Sequence, residues 1–180
     1  MRLWGPIAAG IGMVLGGILL FARKARASTA DVPLLVEVPP RPPTHQFIRP
    51  DLVPQAEAAA RKYGLPVEGF VRQIWVESRF NPEAYNAGSQ ATGIAQFIPA
   101  TAESYNLDPR DPVASLDASA RMMKALHRQF GSWGLATAAY NWGSGNVQKW
   151  QRGERTPPKE TRDYMVELAP AYGEPVPALA

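Results

Sequence analysis

The chain has 180 residues, of which 46% are hydrophobic and 19% charged, and this length accommodates one globular domain with appendages. The absence of cysteine excludes disulfides, thiolate metal sites and cysteine nucleophiles. The net charge of +3 comes from the first 50 residues, with six Lys or Arg against two acids, whereas residues 51–180 carry 13 against 14, which argues against a nucleic-acid-binding surface on the folded part.

An uncharged apolar stretch, residues 3–22, lies near the start of the chain. Its 20 residues, at about 1.5 Å each in a helix, can cross a hydrocarbon core of about 30 Å. Residues 1–27 are therefore interpreted as an uncleaved membrane anchor or as a secretory signal cleaved after Ala27. The anchor is favoured, because the stretch is long for a signal and three cations crowd the cleavage site: Arg23, Lys24 and Arg26.

The charges on either side of this stretch bear on its orientation. Arg2 alone precedes it and three cations follow it, so the positive-inside tendency would leave the remainder of the chain in the cytoplasm. The motifs described below favour the opposite side of the membrane. We therefore expect a domain that faces the periplasm or cell wall, or alternatively a phage particle with a membrane of its own.

Residues 28–54 are interpreted as a linker, because seven prolines interrupt them. The run from Pro39 to Pro43 predicts an extended polyproline II conformation. At about 3.1 Å per residue, such a spacer can hold a domain several nanometres from a membrane.

The remainder, residues 55–170, predicts a single all-α domain, and residues 171–180 a flexible proline-rich tail. Apolar spacing, glycine stops and proline starts mark out the helices. They are expected at residues 55–63, from Pro66 to the Asn81-Pro82 pair, from Pro99 onward, and at 112–130, 135–140, 147–150 and 160–168. Residues 83–92 predict a loop or irregular hairpin, and no long strand is expected.

One carboxylate stands out within these helices. Five apolar residues of segment 67–79 fall at helical spacing, and Glu77 follows Ile74 by three residues and Phe70 by seven. Glu77 therefore lies along the edge of the buried face, where desolvation raises a carboxyl pKa and keeps the proton available for donation. The alternative is an ordinary surface glutamate that pairs with Arg72 or Arg79.

Four short motifs then occur in order along the chain. They are Glu77-Ser78 with Phe80-Asn81-Pro82; Gly93-Ile94-Ala95-Gln96 with Pro99, Thr101 and Ala102; the run from Ala139 to Val147; and Glu160-Thr161-Arg162-Asp163-Tyr164. Together, over roughly residues 66–168, they resemble the catalytic domain of the soluble lytic transglycosylases, relatives of goose-type lysozyme. The resemblance implies a lysozyme-like, mainly helical fold, which agrees with the predicted helices.

The resemblance also implies cleavage of the β-1,4 bond between N-acetylmuramic acid and N-acetylglucosamine in peptidoglycan. Glu77 matches the single acid/base of the family, which protonates the glycosidic oxygen and then takes a proton from the muramoyl C6 hydroxyl. That hydroxyl attacks C1 and gives a 1,6-anhydro product, so one carboxylate suffices where most glycosidases need two. No cofactor or metal is expected, and the two histidines, His45 and His127, are far apart in sequence.

The resemblance extends to residues that bind the glycan. Gln96 matches a residue of the saccharide cleft, with a helix-capping amide as the alternative. Tyr140 matches an aromatic hydroxyl close to the acid, although buried tyrosines often serve the core alone. Asn141 is a cleft donor or a structural cap, and Tyr164 is expected to reach the cleft from the last helix. Asn86 stands where the family often has a serine, and it can still hydrogen-bond an N-acetyl group.

The chain departs from the family pattern at two places. Ile94-Ala95 stands where the family usually has Leu-Met, and the segment from Glu77 to Gln96 is one residue longer than usual.

The leading hypothesis is a membrane-tethered lytic transglycosylase that opens the wall for a secretion or conjugation apparatus or for phage entry. The alternatives are a muramidase that uses water and a non-catalytic peptidoglycan-binding module.

Overall fold

The computed structural model describes residues 38–178, and these residues are mainly helical. Three short 3₁₀ helices accompany seven α-helices: α1 (Val53–Tyr63), α2 (Val67–Ser78), α3 (Pro99–Ser104), α4 (Pro112–Phe130), α5 (Trp133–Trp142), α6 (Ser144–Gln151) and α7 (Lys159–Leu168). Between α2 and α3, two isolated β-bridges, Tyr85 to Thr92 and Thr92 to Phe97, form the predicted irregular hairpin. The prediction of an all-α domain is therefore confirmed for the described residues.

The predicted membrane anchor, residues 3–22, and the first part of the linker lie outside the described residues. Within residues 38–178, no helix combines the length and the apolar character that a bilayer crossing requires. The anchor stays a prediction.

Capping explains where the longest helix begins and ends. Asp111 precedes α4, and its Oδ1 accepts hydrogen bonds from the backbone N–H groups of Val113 and Ala114, both at 3.0 Å. Pro112 occupies the first turn, where its missing N–H costs nothing. Gly131 follows the last residue with φ +71°, a left-handed conformation that glycine adopts without strain.

The core forms around two helices. In α2, Phe70, Val71 and Ile74 are fully buried, as their spacing predicts. This helix packs against α1, α7 and the 3₁₀ turn Pro170–Tyr172. The largely apolar α5 is the second central element, and α4, α6 and α7 surround it. Both α2 and α5 contact α7, and both helices carry candidate functional residues.

The helix α2 ends three residues before the position predicted from Asn81-Pro82. Arg79 and Phe80 have φ of 55° and 62°, so two adjacent non-glycine residues adopt the left-handed conformation. Each costs about 1–2 kcal/mol relative to a right-handed residue. The reversal turns the side chain of Phe80 into the core, where it is fully buried. Burial of that large ring offsets the backbone strain.

Residues on both sides of the predicted domain pack against it. Phe47, in the predicted linker, belongs to the core and is 7% exposed. Tyr172, in the predicted flexible tail, is buried and stacks on Trp133. Phe47 and Tyr172 are therefore part of the packed domain, although a free linker and a frayed tail were expected at these positions. The reason is that packing removes a large aromatic ring from water in each case. The four domain bounds themselves stay a prediction.

The tail also caps a helix. The Oε2 atom of Glu174 accepts hydrogen bonds from the Oγ of Ser132 at 2.8 Å and from the backbone N–H groups of Trp133 and Gly134 at 2.6 and 3.3 Å. These groups form the first turn of α5, where a negative charge interacts favourably with the helix dipole.

Candidate active site

Glu77 lies in the last turn of α2 and is half-buried, so protein surrounds the carboxyl group while some solvent contact remains. The hydroxyl of Tyr164 on α7 donates a hydrogen bond to its Oε1. The pKa of Glu77 is raised from 4.5 to about 7, chiefly by burial; the Tyr164 hydrogen bond lowers this pKa and the negative charge of Glu160 raises it. Near neutral pH the group can therefore both give and take a proton.

Glu77 forms no salt bridge with Arg72 or Arg79, which was the alternative interpretation of this residue. The guanidinium of Arg72 donates to Glu167 and, at 3.0 Å, to the carbonyl of Pro40. No cation lies within ion-pair distance of the Glu77 carboxylate among residues 38–178. The position of Glu77 at a helix C-terminus further disfavours its charged form, since the partial charge there is negative.

The two tyrosines both lie near the acid but make different hydrogen bonds. Tyr164, expected to reach the cleft from the last helix, contacts the carboxylate directly. Tyr140 on α5 is close enough for the charge of Glu77 to raise its pKa, which burial has already raised. Its hydroxyl, however, donates to the carbonyl of Ala95 at 2.8 Å and lies 3.1 Å from the Oγ of Ser119 on α4. Tyr140 thus ties the hairpin segment to the helices beside the acid.

Gln96 holds the hairpin together through one end of its side chain. Its Nε2 donates to the carbonyl of Gly93 at 2.9 Å and to that of Ala84 at 3.4 Å. The backbone of Gln96 is left-handed, with φ +50°. Within the described residues the hydrogen bonds of this amide all use Nε2. The carbonyl end, Oε1, is the part of Gln96 that remains for a ligand.

The two asparagines have structural partners. Asn141, at the end of α5, accepts a hydrogen bond at Oδ1 from the Oγ1 of Thr161 at 2.7 Å and so joins α5 to α7. Asn86 accepts from the backbone N–H groups of Gly88 and Ser89 at 2.9 and 3.1 Å, which closes a tight turn in the hairpin. The structure thus brings Glu77, Tyr140 and Tyr164 together, while Asn86 shapes a loop.

Two residues near the acid received no role from the sequence. Glu160 precedes Tyr164 by four residues on α7, so both lie on one face of that helix, and the charge of Glu160 acts on Glu77. That spacing could have identified it. Ser119 is fully buried on α4, and its contact with Tyr140 spans 21 residues, which no local pattern reveals.

Metal binding has no evident place in this part of the chain. Among residues 38–178, no group of three His, Asp or Glu side chains lies close enough to hold a metal ion. The expectation of a cofactor-free site stays a prediction.

Taken together, the helical fold and the sheltered carboxylate beside two tyrosines define a lysozyme-like domain. The profile of the family described as "Transglycosylase SLT domain" matches residues 54–162. This chain therefore belongs to that family, and the resemblance inferred from the four motifs is confirmed.

Known relatives agree with this membership. The chain is 38% identical to the membrane-bound lytic murein transglycosylase D of Escherichia coli K12, in a match that covers 60% of this chain and 28% of the relative. An inactive mutant of the lytic transglycosylase Slt from Pseudomonas aeruginosa superposes with a TM-score of 0.56 and 25% identity, covering 67% of this chain and 23% of the other. The chain thus spans about a quarter of the length of these relatives.

A third comparison concerns the fold alone. The 70-kDa soluble lytic transglycosylase of Escherichia coli superposes with a TM-score of 0.57 at 22% identity, over 67% of this chain and 23% of that one.

The raised pKa of Glu77 predicts a pH-dependent loss of stability. Between pH 4.5 and about 7, the folded chain holds the Glu77 proton while the unfolded chain releases it. The free energy of unfolding therefore falls as pH rises through this range, by about 2 kcal/mol for a shift of this size at a partly solvated group. Glu77→Gln lacks this titration, so above pH 7 it should be the more stable protein by about that amount.

Denaturant unfolding of both proteins at pH 4.5 and pH 8 measures this effect. The relevant quantity is the difference between the two proteins, because every other acid titrates in both. A difference that is the same at the two pH values would contradict the raised pKa.

Proposed function

We propose that this chain is a lytic transglycosylase that cleaves the N-acetylmuramic acid–β-1,4–N-acetylglucosamine bond of peptidoglycan. The observation that carries the proposal is the half-buried Glu77, with a pKa of about 7, hydrogen-bonded to Tyr164 in a domain of the transglycosylase family. The relative from Escherichia coli K12 is itself named a lytic murein transglycosylase, which supports the proposal.

Glu77 performs two proton transfers in this proposal. The protonated carboxyl gives its proton to the glycosidic oxygen, and the bond from that oxygen to C1 of the muramoyl residue breaks. The carboxylate then takes the proton of the muramoyl C6 hydroxyl, whose oxygen bonds to C1 and closes the 1,6-anhydro ring. The proton count balances without water. A pKa close to the working pH suits a group that must act first as acid and then as base.

The other site residues have positioning and binding roles in this proposal. Tyr164 holds the Glu77 carboxyl in place and stabilises it once the proton has left. Gln96 presents its Oε1 to the N–H or hydroxyl groups of a sugar. Tyr140 and Asn141 keep the hairpin and α7 in register around the cleft, and Asn86 forms a hairpin turn beside it.

Digestion of purified murein by the full chain, followed by mass spectrometry of the fragments, tests the reaction. Fragments that end in 1,6-anhydromuramic acid, lighter by one water than reducing-end fragments, are expected. Reducing-end fragments alone would instead establish the second candidate, a muramidase that uses water. That candidate has one specific observation in its favour, because Glu160 supplies a second carboxylate whose charge reaches Glu77.

The setting of the enzyme is part of the proposal. We infer that residues 3–22 anchor the chain in a membrane with the catalytic domain on the side of the cell wall, in an envelope-spanning or virion assembly. Protease protection in intact cells or particles tests the sidedness: a catalytic domain that resists protease added from the wall side would contradict it.

The hydrogen bond from Tyr164 gives a prediction for the pH profile. Wild-type cleavage should decline above about pH 7, where Glu77 loses its proton. Tyr164→Phe removes a hydrogen bond that favours the charged carboxylate, so the Glu77 pKa rises further and the decline should move to higher pH by about one unit. Rates of murein cleavage from pH 5 to 9 measure this shift.

Tyr172→Phe is the matched control for that profile. It removes another buried tyrosine hydroxyl, which donates to the Oε1 of Gln73 at 2.5 Å rather than to Glu77. Its pH profile should match that of the wild type. A Tyr164→Phe profile that declines at the wild-type pH or lower would exclude the proposed role of this hydroxyl.

A further inference from the structure

The segment that precedes the family match is docked onto the catalytic domain. Residues 40–48, here called the brace segment, end before the first matched residue, 54. Arg41 donates to both carboxylate oxygens of Glu68, at 2.9 and 2.6 Å, and to Glu57 at 2.8 Å. The carbonyl of Pro40 accepts from Arg72 at 3.0 Å. These partly exposed contacts contribute little stability individually, but they fix where the segment lies.

The other end of the brace segment reaches the turn that follows Glu77. Phe47 is 7% exposed, and its ring centroid lies 5.0 Å from that of Phe80, at an interplanar angle of 54°. The next residue, Ile48, donates its backbone N–H to the carbonyl of Arg79 at 2.8 Å. One ring contact and one backbone hydrogen bond therefore hold both residues of the left-handed turn.

That turn depends on support from its surroundings. Two consecutive non-glycine residues with positive φ persist only where neighbouring contacts outweigh the strain. From the domain side, the Oγ of Ser78 donates to the carbonyl of Ile94 at 2.7 Å and accepts from the N–H of Asn81 at 3.1 Å. From the brace segment, which precedes the domain in sequence, the support comes from Phe47 and Ile48. Only Ser78 separates this turn from Glu77.

We propose that the brace segment fixes the position of Glu77 by clamping the left-handed turn Arg79–Phe80, and that Phe47 is a positioning residue of the active site. This inference rests on the proposed function, in which Glu77 is the acid. It makes the linker more than a spacer: displacement of residues 40–48 loosens the catalytic carboxyl. The site is therefore incomplete if the chain is reduced to the matched domain.

Phe47→Ala in the full chain is the direct test. Loss of the Phe47 ring removes its packing contact with Phe80. The left-handed turn then relaxes, and Glu77 shifts relative to the bound glycan. The turnover number should fall about tenfold with little change in KM, because small displacements of a catalytic group affect the reacting geometry more than binding. Water also reaches the carboxyl more easily, so the alkaline decline in activity should move to lower pH. Phe47→Leu, which retains apolar volume, should restore most of the activity.

Leu52→Ala is the matched control. Leu52 is 5% exposed, comparable to Phe47, and lies in the 3₁₀ helix Pro50–Leu52, which packs against α1. Both variants are compared at a temperature where circular dichroism shows both to be folded. Leu52→Ala should retain the wild-type turnover number and pH profile. Equal turnover numbers and equal pH profiles in the two variants would overturn the proposed role of the brace segment.

A second measurement separates this inference from the proposed function. In NMR titrations with ¹³C-labelled glutamate, assigned with Glu77→Gln, the Glu77 carboxyl should titrate at lower pH in Phe47→Ala than in the wild type or Leu52→Ala. This readout needs no substrate. A wild-type chain that cleaves no murein would contradict the proposed function, whereas an unchanged Glu77 titration in Phe47→Ala would contradict the brace, whichever reaction the enzyme performs.

Discussion

Glu77→Gln should lower the rate of murein cleavage by at least about 100-fold, the usual scale for loss of a general acid. Glutamine matches the shape of the glutamate side chain and can still accept the hydrogen bond from Tyr164 at its carbonyl oxygen. Its amide N–H is far too weakly acidic to protonate the glycosidic oxygen. Binding to murein should therefore survive, and the variant should sediment with insoluble murein as the wild type does. Release of soluble fragments measures the rate.

Glu83→Gln is the control for this loss. Glu83 is an exposed acid in the segment between α2 and the hairpin, and its replacement removes the same charge without touching the site. It should cleave murein at the wild-type rate. Retained cleavage in Glu77→Gln would exclude Glu77 as the acid. A wild-type protein that binds murein but never cleaves it would favour the non-catalytic binding module.

Gly93→Ala should destabilise the fold by about 4 kcal/mol, or prevent folding, through strain and overpacking together. Gly93 has φ +80°, and a Cβ there would lie 1.8 Å from the carbonyl oxygen of Pro109. That carbonyl is held by the Oγ of Ser115 at 3.2 Å, so the backbone of the hairpin must move instead. The carbonyl of Gly93 also accepts from the side chain of Gln96, which would shift with it. Thermal unfolding measures the loss.

Gly131→Ala separates the two contributions. Gly131 is left-handed too, with φ +71°, but a Cβ there meets nothing within 4 Å. Its replacement should cost only the conformational strain, about 1 kcal/mol. Equal losses in the two variants would indicate that backbone conformation, and not the contact with Pro109, dictates glycine at position 93.

The features that sequence predicted are those that local patterns encode. Apolar spacing located α2 and α4, and the left-handed glycines Gly64 and Gly131 mark the ends of α1 and α4 as expected. The exposure and raised pKa of Glu77 follow from the same spacing, because a carboxylate three residues after Ile74 lies at the edge of the buried face. Its role as the acid stays a proposal.

The features that sequence did not predict depend on contacts between distant segments. Which tyrosine contacts Glu77 is decided by how α7 packs on α2. The family resemblance placed Tyr140 close to the acid and Tyr164 in the cleft. The left-handed pair Arg79–Phe80 contains no glycine or asparagine, the residues from which a left-handed conformation is usually predicted. The burial of Phe47 depends on Phe80, 33 residues later, so a proline-rich context indicated only an extended linker.

The cap that Glu174 places on α5 has a practical consequence for shortening the protein. Tyr140 and Asn141 lie at the other end of the same helix, so the contacts at its first turn help to hold the helix that carries these two candidate site residues. Pro177 packs so closely on Gly134 that a methyl group there would lie 2.6 Å from its ring. Trimming the C-terminus back to the end of the family match, residue 162, would remove both contacts together with Tyr164, the hydrogen-bond partner of Glu77.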